Sequence, residues 1–592
     1  MKPRGVSRGR RALFSAIFHL SGTLERVRSS DDAGWVYEEQ TMNTSNGVAS
    51  PKSKSSTGST STGGGGDDRP HAVVIGAGFG GLAAAIRLGA RGYRVTVLDK
   101  QDKPGGRAYV REREGFIFDS GPTVITAPFL FEDLWKLAGR SMADDIDLRP
   151  VAPFYRIRFS DGRVFDYTGD AKAMAQEVAK FSPRDVRGYE KFVEASEAIF
   201  KVGFEKLAHV PFGSWLSMAK ILPEMVKLES YRTVYGLVSK FVQDDALRQV
   251  LSFHPLLVGG NPFSTTSIYT LIAFLERKWG VHFPMGGTGS LVQGLVGLIE
   301  HQGGKLRLGI TVKEISVEKT HQARSKGLLA PRVRQHRVTG VVLGDGERIP
   351  ADVVVSNADS AWTYRNLVPA HARPTWTDRK IERLRYSMGL FVWYFGTKKT
   401  YPDVPHHSIL LGPRYKGLLD DIFENKVLAT DMSLYLHRPT ATDPKLAPEG
   451  CDAFYVLSPV PHLQSGTDWA TEGEKYRARV QRVLEESVLP GLGENLAVSE
   501  FITPQYFQDE LLSFRGAAFG VEPVLQQSAY FRPHNASEDL EHLYLVGAGT
   551  HPGAGLPGVL SSARVLDSVV PSASELLRER GRSGARVQGG SR

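Results

Sequence analysis

The sequence predicts an α/β fold built on one doubly wound parallel sheet, which two long insertions interrupt. Three observations predict it. Short apolar runs at Val73–Ile75, Val95–Leu98, Asp352–Ser356 and Leu543–Val546 read as buried strands. Helical patterns follow the first and the last of these runs, at Leu82–Leu88 and Leu556–Val569. Glycine-rich turns, Gly76-Ala77-Gly78-Phe79-Gly80-Gly81 and Gly547-Ala548-Gly549-Thr550-His551-Pro552-Gly553, sit directly after those same two strands. Two such turns at opposite ends of one body predict a large cofactor held at two places.

The first unit has the layout of a dinucleotide-binding βαβ start. Gly76, Gly78 and Gly81 form the G-x-G-x-x-G turn, with Phe79 and Gly80 inside it. The glycines let backbone approach a pyrophosphate, and the following helix offers it free N–H groups. The second strand ends in Asp99, 23 residues beyond Gly76, where an acid meets a ribose hydroxyl; Lys100 follows it. Gly105, Gly106 and Arg107 then offer a flexible turn and a forked phosphate donor. Phe118-Asp119-Ser120-Gly121-Pro122-Thr123 reads as a tight turn beside the same cofactor.

Downstream, Met285–Ile315 reads as a glycine-rich turn, a helix at Ser290–Gln302 and a strand at Gly309–Ile315. The predicted cofactor domain therefore comprises 70–149, 285–360 and 541–575. The first insertion, 150–284, is predicted to be a helical cap, with helical spacing over Asp185–Phe204 and Phe212–Lys240. Within it Trp215, Leu216, Met218, Ile221, Leu222, Met225 and Val226 crowd beside Lys220 and Lys227; both a membrane-lying helix and a core-packing helix fit this pattern. The second insertion, 361–540, shows strand-like runs at Leu390–Gly396, His407–Leu411, Ser433–His437 and Phe454–Pro459, which suit the wall of a substrate cavity.

Composition excludes several classes. Cys451 is the only cysteine, so intrachain disulfides and cysteine-rich metal centres are out. No run approaches the ~18 apolar residues of a spanning helix. The net charge is +9, of which residues 1–70 and 571–592 each contribute +3. That is too mild and diffuse for nucleic-acid binding. The stretch 1–69 reads as a disordered basic extension and a Ser/Gly-rich linker, and 576–592 as a basic tail. We read Met42 as the native start, with an organelle transit segment over 1–30 as the alternative. No metal constellation is expected: adjacent His406 and His407 face opposite sides of a strand and read as structural.

These motifs, in this order, resemble the FAD-binding start of the bacterial and fungal-type phytoene desaturases. The resemblance continues through Leu257-Val258-Gly259-Gly260-Asn261-Pro262-Phe263, Trp279-Gly280-Val281-His282-Phe283-Pro284, Gly286-Gly287-Thr288-Gly289, Ser356-Asn357-Ala358-Asp359 and Leu543 to Gly558. It spans about residues 70–575. It implies a Rossmann-like FAD domain, with a sheet-based substrate domain and a membrane-facing helical cap. By the same resemblance the backbone of Val312 lies near the adenine, and Gly547, Gly549, Pro557, Gly558 and Val559 meet the ribityl and flavin end. The implied activity is desaturation of phytoene, in four steps to lycopene, by hydride transfer to flavin N5 at a cytoplasmic membrane surface of a bacterium. Only one complete nucleotide turn is present, so electrons are expected to leave to oxygen or a quinone rather than to a nicotinamide. The alternatives are a carotenoid isomerase, a later-step carotenoid desaturase or an amine oxidase on the same fold. A prenyl-lipid carrier like the Rab GDP-dissociation inhibitors is disfavoured by the intact turn and Asp99. Glu522 and His254 are candidate bases, each also readable as a buried structural residue.

Overall fold

The computed structural model describes residues 68–213, 215–320 and 334–578, without the side chains of 215–217. The expectations for the N-terminal extension, Met42 and the tail beyond 578 lie outside the described residues, as do those for the side chains of Trp215 and Leu216.

Five parallel strands form the central sheet, in the order Leu543–Leu545, Val353–Ser356, His71–Ile75, Arg94–Leu98, Lys305–Arg307. Outside the edge strand Lys305–Arg307, their valines and leucines are buried on both faces, as a sheet covered on two sides requires. Helices Phe79–Ala90, Thr288–His301 and Leu556–Val569 pack on one face through Leu82, Ile86, Leu291, Leu295, Leu560 and Leu566. The other face differs from the doubly wound expectation. It is covered by an antiparallel sheet that contains Val312–Lys319, His336–Leu343 and Arg348–Pro350, through Ile315, Val338 and Val341.

The expected strand Gly309–Ile315 is split for a related reason. The edge strand stops at Arg307, Gly309 turns at φ +68°, and the chain re-enters the antiparallel sheet at Val312. The helix, the last strand and the other three core strands fall within two residues of their predicted bounds.

A seven-stranded mixed sheet forms the second layer system. It contains all four strands expected from the second insertion, at Gly389–Thr397, His407–Leu411, Leu434–His437 and Asp452–Val460. Its far edge comes from the first insertion: Tyr155–Phe159 pairs in parallel with His407–Leu411, and Val164–Tyr167 follows. The first insertion is thus helical only after residue 170, because alternating burial at 155–159 places one face of that segment on a sheet. One face of the sheet packs on helix Trp469–Ser487 through Phe391, Trp393 and Phe454. The opposite face, with Leu390, Val392, Ile409 and Leu411, lines a cavity.

The cap helices also differ in detail from the sequence pattern. Val186–Phe200 ends in a π-helical turn at Lys201–Lys206. Trp215–Lys227 and Val234–Phe241 are separate helices, with Glu229 at φ +53° between them. Met218 and Met225 are buried, and Ile221 and Met225 face the cavity. That half of the amphipathic helix therefore packs inward.

Candidate active site

The two glycine turns meet. Gly76 and Gly547 adopt φ +96° and +95°, which L side chains avoid. Asn357, at the end of the strand between them, fills the space beside both: added Cβ atoms on Gly80 and Gly547 would stand 2.5 and 2.6 Å from its Oδ1. A Cβ on Gly81 would strike the Gly76 carbonyl at 1.9 Å. Helix Phe79–Ala90 begins at Gly78 with no capping side chain and no acid in its first turn. Its leading N–H groups are left for a bound anion.

Asp99 sits where the spacing placed it. Its Oδ2 accepts from the Ala77 N–H at 2.5 Å and its Oδ1 from Gln101 at 2.8 Å. Burial raises its pKa, opposed by those two N–H groups. The chain around Gly309 is hydrogen-bonded to the backbone of Asp99 and Gln101, which brings Ile310 and Val312 to the same end of the cleft. Lys100 and Arg107 also line it, and Arg107 donates to Ser513 Oγ at 2.7 Å while its Nε is buried without a partner. An orphaned guanidinium N–H beside an uncapped helix start fits a dinucleotide's phosphates.

At the other end, Gly547, Pro557, Gly558 and Val559 line the cleft at the uncapped start of helix Leu556–Val569. Gly549 lies against Ser360, where a Cβ would come within 2.6 Å of the hydroxyl. Sequence reading missed what holds this turn. Arg532, 2% exposed, donates to the carbonyls of Thr550, Ala548 and Val521 at 3.0, 2.7 and 3.1 Å. A lone arginine in a loop gives no pattern signal for such a role. His551 lines the cleft, and burial pushes its pKa down to about 4, so it stands neutral.

The cleft opens into an apolar cavity, and the two together enclose about 520 Å³. Gly121, Pro122 and Thr123 also line this space. Thr123 Oγ1 bonds Tyr455 Oη at 2.5 Å and Tyr435 Oη at 3.1 Å, tying the cofactor loop to the sheet wall. Gly105 and Gly106, both at positive φ, bring their loop against the first glycine turn.

Neither candidate base lines the cavity. Glu522, 1% exposed, is held by Arg385 Nε at 2.7 Å and Ser264 Oγ at 3.0 Å, the structural role read for it. Its pKa is raised by burial, with Arg385 opposing. His254 lies behind Glu276, with Nε2 3.1 Å from Glu276 Oε2. Glu276 itself does line the cavity, on the same helical face as Leu271, Ile272 and Leu275, and its Oε1 accepts from Tyr155 Oη at 2.7 Å. Sequence reading missed it because Glu-Arg-Lys at 276–278 looks like a solvated helix end.

The expectation for His406 and His407 is corrected. His406 precedes the strand, so the alternation of strand side chains does not apply to it. The two rings stand 4.5 Å apart by their centroids, and His437 joins them.

Residues 79–565 match the family described as Flavin containing amine oxidoreductase. Curated relatives include a neurosporene-forming phytoene desaturase of Cereibacter sphaeroides, 48% identical over 86% of this chain and 96% of that one. A lycopene-forming phytoene desaturase of Pantoea ananas is 48% identical over 83% of this chain and 97% of its own. Among solved structures, an oxidoreductase from Methanosarcina mazei aligns with TM-score 0.55 at 18% identity, covering 84% of this chain and 100% of that one. Putrescine oxidase bound to putrescine aligns with TM-score 0.53 at 12% identity, over 85% of this chain and 99% of its own. At such identities these two show a shared fold.

Proposed function

We infer the reaction from a family premise: the chain belongs to the flavin containing amine oxidoreductases and, within them, to the phytoene desaturases of the bacterial type. It is an FAD-dependent oxidoreductase that desaturates phytoene in carotenoid biosynthesis. The observation that supports this reading most is the continuity of the dinucleotide cleft with a cavity walled by Leu390, Val392, Ile409 and Leu411. A C40 hydrocarbon has no polar handle, so shape and dryness must orient it.

FAD fits the cleft. Gly76, Gly78, Phe79, Gly80, Gly81 and Arg107 would hold its diphosphate, Asp99 its ribose, and the chain at Val312 its adenine. Gly547, Pro557, Gly558 and Val559 would hold its ring end. When bound, the flavin supplies the hydride-accepting chemistry.

The protein's own residues do the rest. The sheet wall and the cap helices exclude water, so an allylic cation on the polyene is not trapped by hydroxide. Loss of a proton from that cation completes each double bond. Four carboxylates line the continuous cleft and cavity, Asp99, Glu276, Asp359 and Glu510. Asp99 and Asp359 are engaged by backbone N–H groups and Glu510 by Lys100, so we assign Glu276, set among Leu271, Ile272 and Leu275, as the proton acceptor. Tyr155 donates to one of its oxygens and His254 stands at the other, which fixes the carboxyl plane. His254 is thereby a positioning residue.

The product is lycopene in this reading, after four such steps; relatives of equal identity that form neurosporene make a shorter product the second reading. The acceptor that reoxidises the flavin is oxygen or a quinone. Among the described residues no helix is long and apolar enough to cross a membrane. A C40 hydrocarbon has negligible solubility in water, so we propose that substrate enters from a lipid surface contacted peripherally, through the cavity side that Ile221 and Met225 line. Incubation of FAD-loaded protein with phytoene in liposomes, followed by chromatography, tests this. Lycopene is expected; neurosporene would revise the step number, and unchanged phytoene would refute the assignment.

A further inference from the structure

Beyond the desaturase site, the sheet wall contains a cluster that the reaction does not use. His406, His407 and His437 are 4%, 0% and 0% exposed. His407 and His437 face each other in register on adjacent strands, and His406 precedes the first of them. One ring nitrogen from each lies within 4.8 Å of the other two. His406 Nε2 and His437 Nε2 are 3.0 Å apart.

The outer nitrogens are fixed by hydroxyls. Thr442 Oγ1 bonds His406 Nδ1 at 2.6 Å, and Tyr435 Oη bonds His407 Nδ1 at 2.7 Å. Each bond leaves the Nε2 of its ring for the cluster. Yet His407 Nε2 is buried with no partner, as is His437 Nδ1. An unpartnered polar atom in such a place costs about 1–3 kcal/mol and calls for an explanation. Aromatic rings pack around the cluster, Phe283 at 4.6 Å from His406, Tyr155 at 5.9 Å from His407 and Tyr455 at 4.8 Å from His437 by their centroids.

We propose that His406, His407 and His437 bind one divalent transition-metal ion of the zinc class, which ties the strands His407–Leu411 and Leu434–His437 together. Two imidazoles on one tetrahedral zinc, each ~2.0–2.1 Å from it, place their nitrogens about 3.3 Å apart. The His406 Nε2–His437 Nε2 pair stands at 3.0 Å, and the His407 nitrogen lies within 4.8 Å of both. Three imidazoles, two of them with the outer Nδ1 held by a hydroxyl (His406 by Thr442, His407 by Tyr435), form a donor set that selects zinc or cobalt over calcium or magnesium. The fourth position would take a water or hydroxide. Asp452, the nearby carboxylate, is engaged by Arg438 Nε at 3.0 Å and is not a ligand. The role is structural and independent of the desaturation assigned above.

The test uses full-length, FAD-loaded protein without an affinity histidine tag, expressed with added Zn²⁺ or Co²⁺ because the site is closed. The zinc form is expected to hold roughly one metal per chain by elemental analysis. The cobalt form should show the strong visible bands of a tetrahedral ion. His437→Gln and His407→Gln should retain FAD and lose the metal. Absence of stoichiometric metal in the wild type, cobalt bands of the weak octahedral kind, or metal retained in His437→Gln would each overturn the proposal. Should the variants fail to fold, the wild-type cobalt spectrum alone decides it.

Discussion

Gly80 and Gly547 touch: a Cβ on Gly80 would lie 3.1 Å from the Cα and from the N of Gly547. Residues far apart in the chain thus form one cofactor seat, with Asn357 wedged against both. The seat depends on the absence of side chains. Gly78→Val should yield protein without flavin, since the first added carbon already stands 2.9 Å from Asn357 Nδ2. Absorbance of the purified variant checks this; stoichiometric FAD would contradict it.

Much of this seat was legible in the sequence. A strand, a glycine turn, a helix and a spaced acid form one local unit, so Gly76, Gly78, Gly81 and Asp99 could be placed from spacing alone. The junction of the two turns was legible only as an inference from their repetition. Arg532 and Glu276 were not legible: each acts through partners remote in sequence, Ala548 and Thr550 for one, Tyr155 and His254 for the other. The covering of the central sheet was misread because the run Gly309–Ile315 reads as one strand of the same doubly wound body, whereas Val312–Lys319 joins the antiparallel layer. The histidine cluster was misread because the alternation of the strand His407–Leu411, itself placed correctly, does not extend to His406 just outside it.

Glu276 is predicted to set the rate of proton loss. Glu276→Gln keeps shape and hydrogen bonding but removes the basic oxygen. Turnover should fall by about 10²–10⁴-fold with FAD retained and KM changed little. Tyr155→Phe should cost less, since it only unfastens the carboxylate. Full turnover of the glutamine variant in liposomes would remove Glu276 from the mechanism.

Arg532 is predicted to be a keystone of the flavin-end turn. Arg532→Met leaves three buried carbonyls without their donor, at a cost of about 3–5 kcal/mol. Thermal melts should show a lower Tm, partly restored by excess FAD because the ligand binds only the folded state. An unchanged Tm would contradict the role.

His462 predicts a pH dependence of stability. It is 5% exposed, and burial beside Lys426 and Arg515 lowers its pKa from 6.5 to about 4. The unfolded chain binds this proton first, so the contribution is full above pH 6.5 and is lost as pH falls toward 4. Unfolding by urea should therefore depend on pH more steeply in the wild type than in His462→Gln. The difference should be about 1.4 kcal/mol per pH unit in that window. Equal slopes would contradict the assignment.

The account's central claim is that FAD in this cleft oxidises a hydrocarbon in the adjoining cavity. The most direct measurement is anaerobic incubation of FAD-loaded protein with phytoene in liposomes, with flavin absorbance and products followed together. The account predicts bleaching of the flavin matched one for one by new double bonds in the polyene. A flavin that stays oxidised while phytoene is unchanged would contradict it.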